Sequence, residues 1–187
     1  MPGELWLVRH AETDWAKAGK HTGRTDVPLN DDGRRHAAEL PERLGGKAFA
    51  AVFVSPLSRA RETAELAGYG AQAQPLDDLV EYDYGAYEGL TTAEIRERRP
   101  DWYLWRDGVP EGESPDDVGV RADRVIARAV EVDGDVALFA HGHVLRVLGA
   151  RWIEEPAAVA GRLALSTGAV CKLGFERETR VIQAWNL

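Results

Sequence analysis

Short apolar runs alternate with amphipathic stretches along this chain, and the two periodicities predict its elements. Leu5-Trp6-Leu7-Val8 is too brief for a helix and unbroken by polar residues, which predicts a strand buried on both faces. It delivers Arg9 and His10 at its carboxyl end. Ala51-Val52-Phe53-Val54 and residues 135–140 have the same character, and the second of these again ends in histidine, at His141-Gly142-His143. A further apolar segment covers 76–80. Residues 169–175 and 180–185 read as closing strands joined by a polar turn.

Helix signals sit between these runs. Asn30-Asp31-Asp32-Gly33 reads as a helix start, with Ala37, Leu40 and Leu44 on one face, Pro41 either kinking the helix or belonging to its first turns, and Gly45-Gly46 at the end. Ser55-Pro56 predicts a cap and first position for a helix that carries Arg59 in its first turns. Thr91-Thr92-Ala93-Glu94 opens a short helix through Arg98. Ser114-Pro115 opens a longer one to about Val132, with Val118, Ala122, Val125, Ile126 and Ala129 toward the core. A last helix starts near Val144. This order predicts an α/β fold, a mostly parallel sheet with helices on both faces, in a single domain over 1–187.

The strand ends are where open α/β sheets hold ligands. Arg beside His there combines a planar fork of donors matched to phosphate oxygens with a nitrogen able to attack. Arg59, at the positive end of a helix that follows the second strand directly, faces the same edge. The polar segment 11–29 is too long for a mere connection and is expected to build part of a site. Glu81-Tyr82-Asp83-Tyr84-Gly85-Ala86-Tyr87-Glu88-Gly89 sets tyrosines among carboxylates, an arrangement that can keep one carboxyl away from water for use as a general acid. Trp102, Tyr103 and Trp105 read either as a satellite core under a loop or as a flap over the site.

Composition narrows the partners. Hydrophobic residues make up 44% and charged residues 29% of the chain, as in ordinary globular domains. The net charge of -8 argues against a nucleic-acid partner, while a local cluster of Arg and His can still focus positive potential on a small anion. Cys171 stands alone, so no intramolecular disulfide forms. Met1-Pro2-Gly3-Glu4 lacks the basic start of an export signal and no stretch reaches the length of a membrane span, so a cytoplasmic location without a membrane partner is expected. Of the five histidines only His141 and His143 are close in sequence, and their side chains diverge if strand-like, so no metal site is expected.

Five blocks, taken in order, carry a resemblance. They are Arg9-His10-Ala11-Glu12-Thr13, Ser55-Pro56-Leu57-Ser58-Arg59-Ala60, Glu81 ahead of Tyr84-Gly85 and Glu88-Gly89, Gly112-Glu113-Ser114, and His141-Gly142-His143 with Arg146. In this order the chain resembles the histidine phosphatase superfamily, also called phosphoglycerate mutase-like, over most of its length. The resemblance implies a three-layer α/β/α sandwich and a phosphohistidine mechanism with no metal or other cofactor. It implies His10 as nucleophile, Glu81 as general acid and base, and Arg9, Arg59 and His141 around the three non-bridging oxygens. In the loop Lys20-His21-Thr22-Gly23-Arg24-Thr25, the Thr22 hydroxyl and Gly23 amide would reach the phosphate. The Gly142 amide would help, Tyr84 would line the pocket, and His143 would stand beside the anion rather than on it. Ala16 occupies a position where many members have asparagine, so one polar contact is absent or replaced by Lys17, Ser55 or water.

The branch decides the reaction. Cofactor-dependent mutases of the superfamily carry a basic insertion after the Tyr-Gly block, whereas the segment 90–110 here is short, with Arg96, Arg98, Arg99 and Arg106. A phosphohistidine open to water is hydrolysed. The resemblance therefore implies a phosphomonoesterase for small phosphorylated metabolites, most like the small acid phosphatases and sugar bisphosphatases, with cofactor-dependent phosphoglycerate mutase as the alternative. A binding protein that had lost catalysis would be expected to lack His10, Glu81 or His141, and a metal hydrolase would be sensitive to chelators. The apolar closing strands offer an edge through which two copies could form a homodimer.

Overall fold

Leu5 and Leu7 pack into one hydrophobic core while Trp6 and Val8 pack into another, the alternation that a strand covered on both faces requires. The computed structural model describes residues 3–187, so the reading of Met1 and Pro2 lies outside the described residues. Among the described residues six strands are formed: β1 (Leu5–Arg9), β2 (Ala51–Val54), β3 (Ala73–Pro75), β4 (Val136–Ala140), β5 (Val170–Glu176) and β6 (Thr179–Ala184). They make one sheet in the order β3-β2-β4-β1-β5-β6. The first four are mutually parallel, and β5 runs antiparallel to both β1 and β6.

Among the described residues eight α-helices accompany the sheet: α1 (Asp14–Lys17), α2 (Asp31–Ala37), α3 (Leu40–Arg43), α4 (Ser58–Leu66), α5 (Thr92–Arg98), α6 (Leu104–Asp107), α7 (Pro115–Val130) and α8 (Gly142–Trp152). Ala37, Leu40, Ala60 and Ala64 join the core shared with Trp6, Val8, Val52, Val54 and Phe139. Val118, Ala122, Val125, Ile126 and Ala129 of α7 join Val144, Leu145 and Leu148 of α8 on the opposite face, beside Leu5, Leu7 and Leu138. Two cores on either side of one sheet constitute the α/β/α sandwich. Each fully buried Val, Ile or Leu in them contributes roughly 1.5–3 kcal/mol.

Local signals explain where the elements start. Ser114 caps α7 by accepting from the Asp117 amide, and Asp117 returns the bond, a reciprocal pair that Thr91 and Glu94 repeat on α5. Two expectations are corrected. The helix begun at Asn30 divides into α2 and α3, because Pro41 lacks an N–H to continue the ladder and sits in the first turn of a new helix. Helix α4 begins at Ser58 with Leu57 in the capping position, so Ser55 does not cap it. The apolar segment 76–80 follows the short strand β3, which ends at Pro75 at the sheet edge where a missing N–H is tolerated, and within it Asp77–Leu79 forms a 3-10 turn. No helix among the described residues is long and apolar enough to cross a membrane.

Candidate active site

Strands β1 and β4 lie side by side with Arg9 opposite Ala140, and the His10 amide donates to the Ala140 carbonyl at 2.9 Å. His10 and His141, each one residue past its strand, are thereby brought to 5.2 Å between ring centroids. Their chains then leave in opposite directions, β1 toward α2 and α3 on one face and β4 toward α8 on the other. Such a switch point opens a crevice at the carboxyl edge of the sheet. A cleft of about 250 Å³ occupies it, lined by Arg9, His10, Thr22, Glu81, Tyr84 and Gly142 among others.

His10 Nδ1 lies 2.7 Å from the Ala11 carbonyl oxygen. An oxygen of that kind only accepts, so the hydrogen-bond network puts the proton on Nδ1 and leaves the lone pair on Nε2. Burial, followed by the positive charges of Arg9 and Arg59, holds the imidazole pKa well below the usual histidine value. The ring on the cleft wall is therefore neutral at pH 7.

Arg9 reaches the cleft from the last position of β1. One of its terminal nitrogens donates to the Leu165 carbonyl, while Nε is buried without a partner among the described residues. A buried donor left unpaired costs about 1–3 kcal/mol, and such a group calls for an explanation. A ligand that accepts there supplies one. Gly142 permits the guanidinium to lie this close, since a Cβ at that position would stand 3.2 Å from both Cζ and Nε of Arg9.

Glu81 enters from the far side. Its Oε1 accepts from the amides of Tyr82 and Val144, each at 2.9 Å, and its Oε2 from the His143 amide at 3.0 Å. Two of these amides belong to the first turn of α8, so the carboxylate also occupies the position that a helix N-terminus offers to an anion. The segment bearing Glu81 is itself fastened by Arg121, which donates to the carbonyls of Asp78 and Val80 and forms a two-pronged pair with Glu113. Glu113 in turn accepts from the Asp83 amide at 2.9 Å.

Arg59 and His141 stand directly behind the cleft and are fully buried. Arg59 donates through Nε to His141 Nδ1 at 3.1 Å, and through its terminal nitrogens to the carbonyls of Thr22, Gly23 and Thr25. His141 Nε2 lies 2.7 Å from Ser55 Oγ. Both side chains thus meet protein partners at the positions where the sequence resemblance implies phosphate oxygens. The Gly23 amide differs from expectation more plainly: it donates to the Glu88 carboxylate at 2.9 Å, and a Cβ on Gly23 would meet the Tyr82 carbonyl. Thr22 lines the cleft, with its hydroxyl turned to the Lys20 carbonyl at 3.2 Å. Ala16 lies on the same wall. Trp102 and Trp105 are buried and Tyr103 is 43% exposed, so the aromatic cluster is core on one side and surface on the other.

Sequence reasoning missed Glu88 as the anchor of the loop, and it missed Arg121. An arginine inside an amphipathic helix carries no pattern that separates it from a solvated one. Among the described residues no three His, Cys, Asp or Glu side chains converge as a set of metal ligands.

Comparison with known proteins agrees with this geometry. The family model described as histidine phosphatase superfamily (branch 1) matches residues 5–187. An acid phosphatase of Mycobacterium tuberculosis is 41% identical over 98% of this chain and 92% of its own length. A sedoheptulose 1,7-bisphosphatase of Saccharomyces cerevisiae is 34% identical over 78% of this chain and 66% of its own. The solved structure of the Mycobacterium tuberculosis open reading frame Rv3214 superposes with a TM-score of 0.93 at 39% identity, covering 100% of this chain and 98% of that one. The chain belongs to branch 1 of the histidine phosphatase superfamily and is a phosphatase.

Proposed function

We propose that the protein hydrolyses small phosphorylated metabolites through a phosphohistidine on His10, with Glu81 moving the protons. The observation that carries this reading is the neutral imidazole of His10, its Nδ1 proton held by the Ala11 carbonyl and its Nε2 left with a lone pair at the cleft. That is the state in which an imidazole attacks.

In the first step Nε2 forms a bond to phosphorus as the bond to the leaving oxygen breaks, and Glu81 gives that oxygen its proton. In the second, Glu81 takes a proton from water, the water oxygen bonds to phosphorus, and the nitrogen–phosphorus bond breaks to return neutral His10. Arg9 is a cation on the cleft wall, which Lys20 and Arg146 also line, and meets the charge spread over the phosphoryl oxygens, a stabilisation worth a few kcal/mol per donor, about 2.7–4 in comparable sites. Arg59 adds charge from behind His10. For Arg59 and His141 to touch the oxygens themselves, the anion must take the place of the carbonyls of Thr22, Gly23 and Thr25 and of Ser55, which would reorder the loop 22–25 as substrate binds.

The test is phosphate release in the presence of a chelator from an aryl phosphate, 3-phosphoglycerate and several sugar phosphates, beside His10→Ala. Release by the wild type alone, together with one phosphoryl group found by mass spectrometry on alkali-quenched wild type, is the expected result. Loss of activity to the chelator would sink the metal-free reading. Conversion of 3-phosphoglycerate to its 2-isomer on priming with bisphosphoglycerate, without phosphate release, would make the protein a mutase.

A further inference from the structure

Beside the cleft lies a second hollow of about 230 Å³, walled by Trp102, Trp105 and Arg96 among others and containing no carboxylate in its lining. His21 and His143 line both spaces and form the ridge between them. Neither has a part in the chemistry above.

The protons on these two rings are set by their neighbours. His21 Nδ1 lies 2.8 Å from the Leu90 carbonyl oxygen, so Nδ1 carries the proton and Nε2 is an acceptor. Edge-on packing against Tyr84 and Trp102, at 4.9 and 5.5 Å between centroids, fixes that ring's orientation. His143 Nδ1 lies 2.5 Å from the Tyr84 hydroxyl. The hydroxyl has no other partner among the described residues, and giving its hydrogen to Nδ1 leaves no buried O–H unpaired, the arrangement that keeps the His143 proton on Nε2. Burial lowers the pKa of both rings below the usual histidine value, and it raises that of Tyr84 well above the usual tyrosine value. All three groups are neutral at pH 7.

The ridge therefore carries one acceptor and one donor, neither with a partner among the described residues. The two ring centroids are 6.3 Å apart. A single oxygen within hydrogen-bond reach of both rings requires the two Nε2 atoms to face each other across that gap. We infer that His21 and His143 read a hydroxyl group on the leaving side of the phosphate ester, which donates to His21 Nε2 and accepts from His143 Nε2–H. A hydroxyl is the group that donates and accepts at one atom. The substrate class is a phosphate ester of a hydroxylated alcohol, with the indole rings beyond the ridge against its carbon face and Arg96, tied by Nε to the Trp102 carbonyl at 3.0 Å, at its far end.

The inference rests on the phosphatase reading of the cleft, and the experiment separates the two. Glycerol 3-phosphate and propyl phosphate share the phosphate and the carbon chain and differ in the hydroxyls. Wild-type kcat/KM should favour glycerol 3-phosphate by about ten-fold or more, since a site that hydrogen-bonds a hydroxyl discriminates against its absence. In His21→Phe the ratio should fall to within about two-fold of unity. Long-range nitrogen–proton NMR on the wild type should find His21 protonated on Nδ1 and His143 on Nε2, which decides the matter even if the variant folds poorly. A wild-type ratio near one, a ratio unchanged by the substitution, or the opposite protonation on either ring would overturn the inference. Activity of His10→Ala on both esters would instead overturn the phosphatase mechanism on which it rests.

Discussion

Arg59 donates to His141 Nδ1 at 3.1 Å, and this contact alone decides that the His141 proton sits on the far nitrogen, from which it is donated to Ser55 Oγ at 2.7 Å. Ser55 was expected to cap a helix and instead ends a buried three-residue chain across the floor of the cleft. Ser55→Ala should leave the His141 Nε2–H buried and unpaired, at a cost of about 1–3 kcal/mol. Urea unfolding measures it, and a midpoint equal to wild type would show that the hydroxyl contributes nothing.

Gly142 and Arg9 are packed so closely that a methyl group does not fit between them without displacing the guanidinium, which is already tied to the Leu165 carbonyl. Gly142→Ala should lower kcat/KM by about ten-fold to a hundred-fold, in the range seen when one charge-stabilising donor is misplaced. Helix α8 begins there without left-handed backbone, so the folded state should survive. Full activity in the variant would mean that Arg9 is free to shift.

Arg121 holds Glu81 at one remove. The Arg121–Glu113 pair is mostly shielded, with 11% and 16% of the two side chains exposed. Removing one partner of such a pair leaves the other charge uncompensated. Arg121→Leu should cost about 3 kcal/mol or more and lower kcat further than KM, because the segment carrying Glu81 loosens. Equilibrium unfolding and steady-state kinetics together check this, and a stability loss with unchanged kcat would remove Arg121 from any positioning role.

Stability should fall in mild acid. His10, His141 and His143 have pKa values well below the ordinary one, each chiefly through burial, and His21 is lowered for the same first reason. The unfolded chain takes up these protons as pH drops through about 6.5 while the folded protein does not, so the unfolded state binds more protons and is favoured. The stabilisation is whole above that pH and is lost below it, by up to about 1.4 kcal/mol per pH unit for each histidine until its folded pKa is reached. Urea midpoints at about pH 7.5 and about pH 5.5 test the sign. A midpoint unchanged between them would be incompatible with four buried neutral rings.

Much of the scaffold was legible before any coordinates, because it follows from short-range patterns. A four-residue apolar run bounded by Pro-Gly and Arg-His has little alternative to a buried strand, and Ser114-Pro115 with acids behind it has little alternative to a helix start. The strand ends bearing Arg9, His10 and His141 were readable for the same reason, whereas the family was read from the resemblance of five blocks in order. The exact boundaries at Pro41, Ser55 and Pro75 were not, since a proline or a serine-proline pair marks a break without fixing which residue on either side begins the next element.

What the sequence determined by itself was therefore the set of elements, their order and the residue types delivered to one edge. What only the tertiary structure decided was where each proton and each free lone pair lies. The Ala11 and Leu90 carbonyls, the Tyr84 hydroxyl and the Arg59 guanidinium assign the protons on His10, His21, His143 and His141. Some of these partners come from distant parts of the chain, and a hydrogen bond acts over about 3 Å of space whatever the separation in sequence, so no pattern along the chain encodes it.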